Sequence, residues 1–321
     1  MSTSFTPNDI AAEELLKSKT IPSTPPCGKI CSYDWDAREE GTYYPLLHKA
    51  VNCPNTLFRM GHSPYPVIRP PPRSPPPDLL NNFTINGRCP VSNFEYRDDT
   101  RGQPRIRGYM NYDATSFREL QKLDHVTDIN TYKDEGTFKR VLTNYSHLIH
   151  EKFVAVIGTQ SPWAEAMLLN LGAKSVTTIE YRPLVIEDER VTIITPYDLA
   201  NQFTGGYAIP FDTVITYSSL EHSGLGRYGD PLTPFGDLEA TAEIWCMVKP
   251  DGYLILSVPV HINREQCDIV WNNYRYYGDA RLQHLTANWR VLEIIDGKDK
   301  RFKLHQILVL RKVKDSKTKQ I

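Results

Sequence analysis

Short apolar segments that alternate with helix-patterned segments follow residue 152 and constrain the fold more than any other feature of the sequence. The first of them, Phe153–Ile157, is a continuous apolar run closed by Gly158, which is typical of a central strand buried on both faces. Further strands are predicted at residues 176–180, 191–194, 211–216 and 253–258, and helices at 163–171 and 238–248. Such alternation predicts a mostly parallel sheet with helices on both faces.

Two more strand patterns lie near the C-terminus, at residues 289–295 and 305–310, and a loop of ordinary length joins them. A terminal antiparallel pair after five α/β strands is typical of class I methyltransferases and unusual in nicotinamide dehydrogenases. The pattern therefore predicts an α/β, Rossmann-like class I methyltransferase fold whose mostly parallel seven-stranded sheet ends in that pair. Only nine residues lie between Tyr181 and Val191, so we expect a turn or a single helical turn there instead of a crossover helix.

The N-terminal third has a different composition. Thirteen of the 24 prolines lie between Pro22 and Pro77, and proline fixes φ and lacks a backbone donor. This predicts a largely irregular, proline-rich arm over residues 1–110, which is either a stiff linker or a polyproline ligand. A helical stripe over 138–149 belongs to the methyltransferase-like domain predicted for 111–314, and a polar tail follows at 315–321.

Charge and hydropathy exclude some partners. The 37 basic residues balance 38 acidic ones, so no general field attracts nucleic acid. No apolar run is long enough to span a membrane, and the N-terminus lacks a secretory pattern, so a soluble cytoplasmic protein is expected. The alternative is the lumen of the secretory pathway, because two glycosylation sequons, Asn82–Thr84 and Asn144–Ser146, occur.

Four cysteines cluster in the first hundred residues: Cys27, Cys31, Cys53 and Cys89. They also favour the luminal alternative, since secreted proteins retain disulfides. No second pair at zinc-site spacing completes a tetrahedral set, so free thiols or disulfides are expected and no metal site is predicted.

The candidate cofactor residues follow the predicted strands. The turn Gly158, Thr159, Gln160 and Ser161 offers backbone N–H groups and a small residue for close approach. Glu180 ends the second strand, where a carboxylate accepts hydrogen bonds from both ribose hydroxyls of S-adenosylmethionine. The remaining candidates are Tyr181, Ser218, Ser219 and, for the adenine amino group, Asp198.

The candidate catalytic residues lie mainly in the loop after the fourth strand. His222 is a candidate base because its ordinary pKa is near neutrality, although a capping or packing role is also compatible with the sequence. Glu221 and Asp230 are candidates to orient or replace it, and His261, after the fifth strand, is a reserve base. Residues 272–277 form a polar aromatic cluster that either contacts an acceptor or is a surface loop.

Several motifs together resemble a known family: residues 218–222, 226–230, 236–239, 248–252 and 257–259. They are similar to the nematode-rich domain-of-unknown-function family that is related to S-adenosylmethionine-dependent methyltransferases. The similarity extends from about Thr127 to Leu310, and Gly226–Asp230 is its most specific part. The resemblance implies the fold and the cofactor but no acceptor. The turn at Gly158 has fewer glycines than the usual Glu-x-Gly-x-Gly-x-Gly motif.

These observations predict a methyltransferase that uses S-adenosylmethionine to O-methylate a small molecule or a glycan hydroxyl. An alternative is a catalytically inactive Rossmann-like scaffold whose proline-rich arm recruits a partner. A nicotinamide enzyme is disfavoured because the Gly-x-Gly-x-x-Gly motif is missing. The expected partner is the small-molecule or glycan acceptor, without nucleic acid or a membrane segment.

Overall fold

A computed structural model describes residues 51, 53–61, 70–99, 110–122, 135–297 and 304–312. Within them the helices are α1 (Cys53–Gly61), α2 (Leu80–Phe83), α3 (Ala114–Lys122), α4 (Glu135–Asn144), α5 (Trp163–Asn170), α6 (Pro196–Thr204), α7 (Gly236–Met247) and α8 (Asp279–Leu285). The strands are β1 (Val91–Phe94), β2 (Met110–Tyr112), β3 (Phe153–Ile157), β4 (Ser175–Ile179), β5 (Leu184–Ile186), β6 (Val191–Ile194), β7 (Phe211–Tyr217), β8 (Val248–Pro259), β9 (Asp268–Trp271), β10 (Tyr274–Tyr276), β11 (Trp289–Gly297) and β12 (His305–Lys312). Two 3-10 turns, Ser146–Leu148 and Leu220–His222, precede β3 and follow β7.

The central sheet has seven strands in the order β6-β4-β3-β7-β8-β12-β11. The first five are parallel, whereas β12 is antiparallel to both β8 and β11. An antiparallel last strand inserted beside the fifth parallel one is the arrangement of class I methyltransferases. The predicted fold and its terminal strand pair are therefore confirmed.

Two apolar layers lie on opposite faces of this sheet. Val154 belongs to the same buried cluster as Phe138 and Leu168. Its neighbour Ala155 belongs to the other cluster, with Leu238. Successive side chains of a strand point to opposite faces, so a continuous apolar run such as β3 fills both layers. Each fully buried Leu or Phe contributes about 1.5–3 kcal/mol.

The connection between β4 and β6 differs from the expected turn or helical turn. It contains the short strand β5, which pairs in parallel with β2. Leu184 and Ile186 are buried and Val185 is exposed. This alternation is a strand pattern, but a three-residue strand requires a partner, and that partner comes from more than seventy residues upstream.

The described part of the N-terminal third packs against the sheet domain. Residues 53–61 are helical where the sequence predicts irregular structure, and this helix, α1, packs against α6 and α7. Strand β1 pairs in parallel with β9, and the Trp271 indole donates to the Pro72 carbonyl at 3.0 Å. Residues 1–50 lie outside the described part. Among the described helices, none is long and apolar enough to cross a bilayer.

Candidate functional site

A cavity of about 420 Å³ lies at the C-terminal ends of β3, β4 and β7. Its volume is in the range of small-molecule sites. Most of the predicted site residues line it, namely Gly158, Thr159, Gln160, Ser161, Glu180, Tyr181, Ser218, Ser219, His222 and Asp230. Aromatic side chains from Tyr112, Trp163, Tyr217 and Tyr228 also line the wall. Parallel strands end at one edge of a sheet, and for this reason residues far apart in sequence share the cavity.

The turn after β3 requires glycine at its first position. Gly158 has a φ of +68°, and a Cβ there would lie 2.1 Å from the Ser219 hydroxyl oxygen. An L-residue at this position would be strained and would also displace the wall formed by the end of β7. Glycine thus lets the turn after β3 pack closely against Ser219 at the wall of the cavity.

Glu180 joins this turn to the end of β4. Its carboxylate accepts hydrogen bonds from the backbone N–H of Thr159 at 2.9 Å and of Arg182 at 3.0 Å. Burial raises the pKa of Glu180, although the nearby Arg182 charge opposes that shift. A carboxylate has about four acceptor positions, so it can hold the turn and still accept from a ligand.

Behind the turn lies Glu165, a fully buried carboxylate on α5 that the sequence analysis did not select. It accepts a hydrogen bond from the Thr178 hydroxyl at 2.9 Å. Burial raises its pKa to about 7, and the negative charge of Glu180 adds to the shift. The signal available in the sequence was a single acid within the otherwise apolar first two turns of α5.

Stability is expected to fall as the pH rises, and we expect Glu165→Gln to remove the part of that loss that Glu165 causes. The folded-state pKa of about 7 exceeds the usual 4.5, so the folded chain binds the proton more tightly and stability falls between those pH values. At pH 8 the variant should be more stable by a few kcal/mol, about 1.4 kcal/mol for each pKa unit. Denaturant unfolding at pH 4.5 and 8 measures this, with exposed Glu189→Gln as control. An equal difference at both pH values would contradict the assignment.

His222 lines the cavity from the 3-10 turn after β7. Its Nδ1 lies 2.5 Å from the Asn273 carbonyl oxygen. A carbonyl only accepts, so Nδ1 carries a proton, and in the neutral form of the ring the lone pair is on Nε2. Nε2 lies 3.9 Å from a carboxylate oxygen of Glu221. The ring is therefore held in the tautomer that a base at Nε2 requires.

Glu221 is fully buried and does not line the cavity. The Ser218 hydroxyl donates to its carboxylate at 2.5 Å, and the backbone of Ser218 has a φ of +49°. This carboxylate thus lies beneath His222 and fixes the loop that follows β7. In the same loop, Gly224, Leu225 and Gly226 are buried as well.

Asp230 shapes the same loop. Its carboxylate accepts backbone hydrogen bonds from Gly224 at 2.7 Å, Gly226 at 3.1 Å and Tyr228 at 3.2 Å. Burial raises the pKa of Asp230, and these three donors act against that shift. The carboxylate holds the loop in its turn instead of contacting the His222 ring, the role considered for it from the sequence.

Besides Glu221, two further predicted site residues are not brought into the cavity. Asp198 lies in the first turn of α6, where its carboxylate accepts from the Thr195 hydroxyl at 2.7 Å. His261 follows β8 and places Nε2 3.5 Å from the carboxylate of Asp268. Both are polar residues just beyond strand ends, so local sequence could not distinguish them from residues that face the cavity.

Tyr228 and Arg182 are cavity residues that the sequence analysis missed. The guanidinium carbon of Arg182 lies 5.4 Å from the centre of the Tyr228 ring, and that of Arg227 lies 4.6 Å from it. Gln160 donates to the Tyr228 hydroxyl at 3.3 Å, and the Tyr228 and His222 rings meet edge-on. This wall presents a phenol beside the imidazole, flanked by positive charge.

The N-terminal segment 91–99 supports this wall from outside. Arg227 donates to Asp99 at 2.7 Å and also to the side chain of Asn273, which itself donates to Glu95 at 2.8 Å. Asn273 belongs to the cluster 272–277, considered either an acceptor contact or a surface loop. Its Asn272, Asn273, Arg275 and Tyr277 are buried, so much of the cluster is interior.

Among the described residues, no group of three or more His, Cys, Asp or Glu side chains is arranged to hold a metal ion.

One protein family matches residues 151–321, a range that contains β3 to β12 and every residue of the predicted site. The chain belongs to DUF268, described as Caenorhabditis protein of unknown function. The segments that carry α1, α2, β1 and β2 lie outside the matched range of this DUF268 protein. No curated protein sequence matches the chain.

Solved structures resemble the DUF268 chain at low identity. The 1,6-didemethyltoxoflavin-N1-methyltransferase of Burkholderia thailandensis, with bound 1,6-didemethyltoxoflavin and S-adenosylhomocysteine, is 16% identical; 62% of this chain and 85% of that one are covered, with a TM-score of 0.41. The N-methyltransferase NodS of Bradyrhizobium japonicum, in complex with S-adenosylhomocysteine, is 12% identical to this chain. The match covers 62% of this chain and 98% of NodS, with a TM-score of 0.40.

Proposed function

We propose that this protein is an S-adenosylmethionine-dependent methyltransferase that acts on a hydroxyl group of a small molecule or a glycan. The observation that carries the proposal is that three features line one cavity: the turn at Gly158, the carboxylate of Glu180 and the imidazole of His222. Each is suited to a different part of such a reaction. A non-catalytic surface pocket has no need of all three together.

The residues fit the cofactor. The turn from Gly158 to Ser161 lines the cavity, and the left-handed backbone of Gly158 holds it there, so a ligand can lie against its backbone. Glu180 supplies acceptor oxygens for ribose hydroxyls, and a buried acidic pair, Glu165 and Glu180, favours a nearby cation. When bound, S-adenosylmethionine supplies an electrophilic methyl group on a positively charged sulfur.

His222 is the proposed base. Its Nε2 accepts the proton that an acceptor hydroxyl releases, while Nδ1–H remains bonded to the Asn273 carbonyl. The imidazolium formed in this way is stabilised by the buried carboxylate of Glu221, 3.9 Å from Nε2. Tyr228 and the other aromatic walls offer stacking surfaces for a sugar or an aromatic acceptor.

Titration calorimetry with S-adenosylmethionine tests the cofactor site. We expect the wild type to bind and Glu180→Ala to bind about 100-fold more weakly, because two hydrogen bonds to a charged group, about 1.5 kcal/mol each, are lost. The exposed variant Glu189→Ala should bind like the wild type. His222→Ala should also retain binding but lose methyl transfer by a factor of roughly 10²–10⁴.

The acceptor is sought by profiling metabolites and glycans with and without the protein for a mass difference of about one methylene, as expected for methyl transfer. If the wild type does not bind S-adenosylmethionine at millimolar concentration, the proposal fails.

A second candidate, a scaffold without turnover, is favoured by the use of both Glu180 oxygens to hold the chain's own backbone. Binding without transfer to any acceptor would select it.

A further inference from the structure

The four cysteines in the described part of the chain form two disulfides, Cys53–Cys246 and Cys89–Cys267. The paired Cα atoms lie 5.3 and 4.6 Å apart, within the usual range for a disulfide. Each bond joins residues more than 170 positions apart in sequence, so both depend on the folded domain. Such disulfides form and persist in oxidising compartments such as the lumen of the endoplasmic reticulum.

The same compartment attaches N-linked glycans, and the sequon at Asn144 is well placed to carry one. Asn144 is the last residue of α4, and its side chain is exposed. The opposite face of that helix, with Phe138, Val141 and Leu142, is buried. A large hydrophilic group on Asn144 therefore extends into solvent without disturbing the core.

Asn144 also lies at the edge of the sheet away from the cavity. The 3-10 turn that follows it leads into the N-terminal end of β3, and the Leu148 carbonyl accepts from the Thr213 hydroxyl near the start of β7. The cavity lies at the other ends of these strands, roughly 16 Å away along a five-residue strand. A glycan at Asn144 thus leaves the candidate site open.

We propose that this protein folds in the secretory pathway and that Asn144 is an N-glycosylation site. In the transfer, the Asn144 side-chain nitrogen forms a bond to the anomeric carbon of an N-acetylglucosamine-headed oligosaccharide. The bond from that carbon to the lipid pyrophosphate carrier breaks, the pyrophosphate leaves with the electron pair, and the amide loses one proton. This inference does not depend on the proposed methyltransferase activity.

Gel mobility before and after treatment with peptide-N-glycosidase tests the site on the full chain, secreted from cultured animal cells behind a cleavable leader. On treatment, the wild type should lose the mass of the glycan on Asn144. The variants Asn144→Gln and Ser146→Ala should lack that glycan before treatment. Tyr145→Phe is the matched control, because it removes the hydrogen bond from Tyr145 to Glu293 but keeps the sequon. It should be glycosylated like the wild type.

Peptide mapping of the protein from its natural source completes the test. Treatment with the glycosidase converts a glycosylated asparagine to aspartate, so we expect aspartate at position 144 only after treatment. Alkylation without reductant should leave Cys53, Cys89, Cys246 and Cys267 unmodified. An Asn144 peptide that is unmodified before treatment, reactive thiols at these cysteines, or an Asn144→Gln variant with wild-type mobility would each overturn the proposal.

Discussion

Replacing Asp237 with alanine is expected to lower the free energy of unfolding by about 3–5 kcal/mol, because it leaves buried guanidinium groups without their carboxylate. Asp237 lies in the first turn of α7 and is fully buried. Its carboxylate accepts from Arg281 at 2.5 and 2.7 Å and from the Tyr277 hydroxyl at 2.9 Å. Burial alone would raise the pKa of Asp237, but the charges of Arg275 and Arg281 and the hydrogen bonds from Arg281 and Tyr277 together lower that pKa.

This buried cluster also supports the candidate site. Arg275 lies 3.9 Å from Asp237 and donates to the Ser223 carbonyl, next to His222, at 2.5 Å. Denaturant unfolding measures the loss, and Asp78→Ala, at an exposed position, should change stability by less than about 0.5 kcal/mol. A loss below about 1 kcal/mol in Asp237→Ala would mean that the cluster contributes little.

Removing the Cys89–Cys267 disulfide by Cys89→Ser with Cys267→Ser is expected to lower stability by about 4 kcal/mol. With Cys53–Cys246 intact, the shortest path between Cys89 and Cys267 runs through that disulfide and holds about 57 residues. The length of this loop sets how much conformational entropy the second disulfide removes from the unfolded state. Denaturant unfolding of the oxidised protein measures the loss. The effect should disappear when wild type and variant are compared under full reduction.

The same substitution should also loosen the wall of the cavity. Cys89 precedes β1, and the segment after β1 holds Arg227 through Asp99 and Asn273 through Glu95. Because the Asn273 carbonyl binds His222, the imidazole Nδ1–H signal in NMR spectra should broaden or shift in this variant. Cys53→Ser with Cys246→Ser is the matched comparison, which should lose similar stability and keep that signal. An unchanged His222 signal in both variants would contradict the coupling.

The sequence by itself determined the sheet and the centre of the candidate site. A continuous apolar run such as Phe153–Ile157 is buried on both faces only when the strand lies between two helical layers. The terminal antiparallel strand pair distinguished the class I methyltransferase fold from that of the nicotinamide dehydrogenases. Parallel strands end at one edge, so Gly158, Glu180 and His222 were expected to lie together, and they line one cavity. These results follow from the spacing of apolar residues and from the order of strands and helices along the chain, and both can be read from the sequence.

Only the tertiary structure decided which polar side chains face that cavity. Glu221, Asp198 and His261 follow strands as the cavity residues do, yet they bind the chain's own hydroxyl and carboxylate groups. The disulfide partners and the pairing of β1 with β9 join residues more than 170 positions apart. A polar side chain needs only one hydrogen-bond partner, and that partner can come from any part of the folded chain. The positions of polar residues therefore follow no sequence period like that of a buried strand.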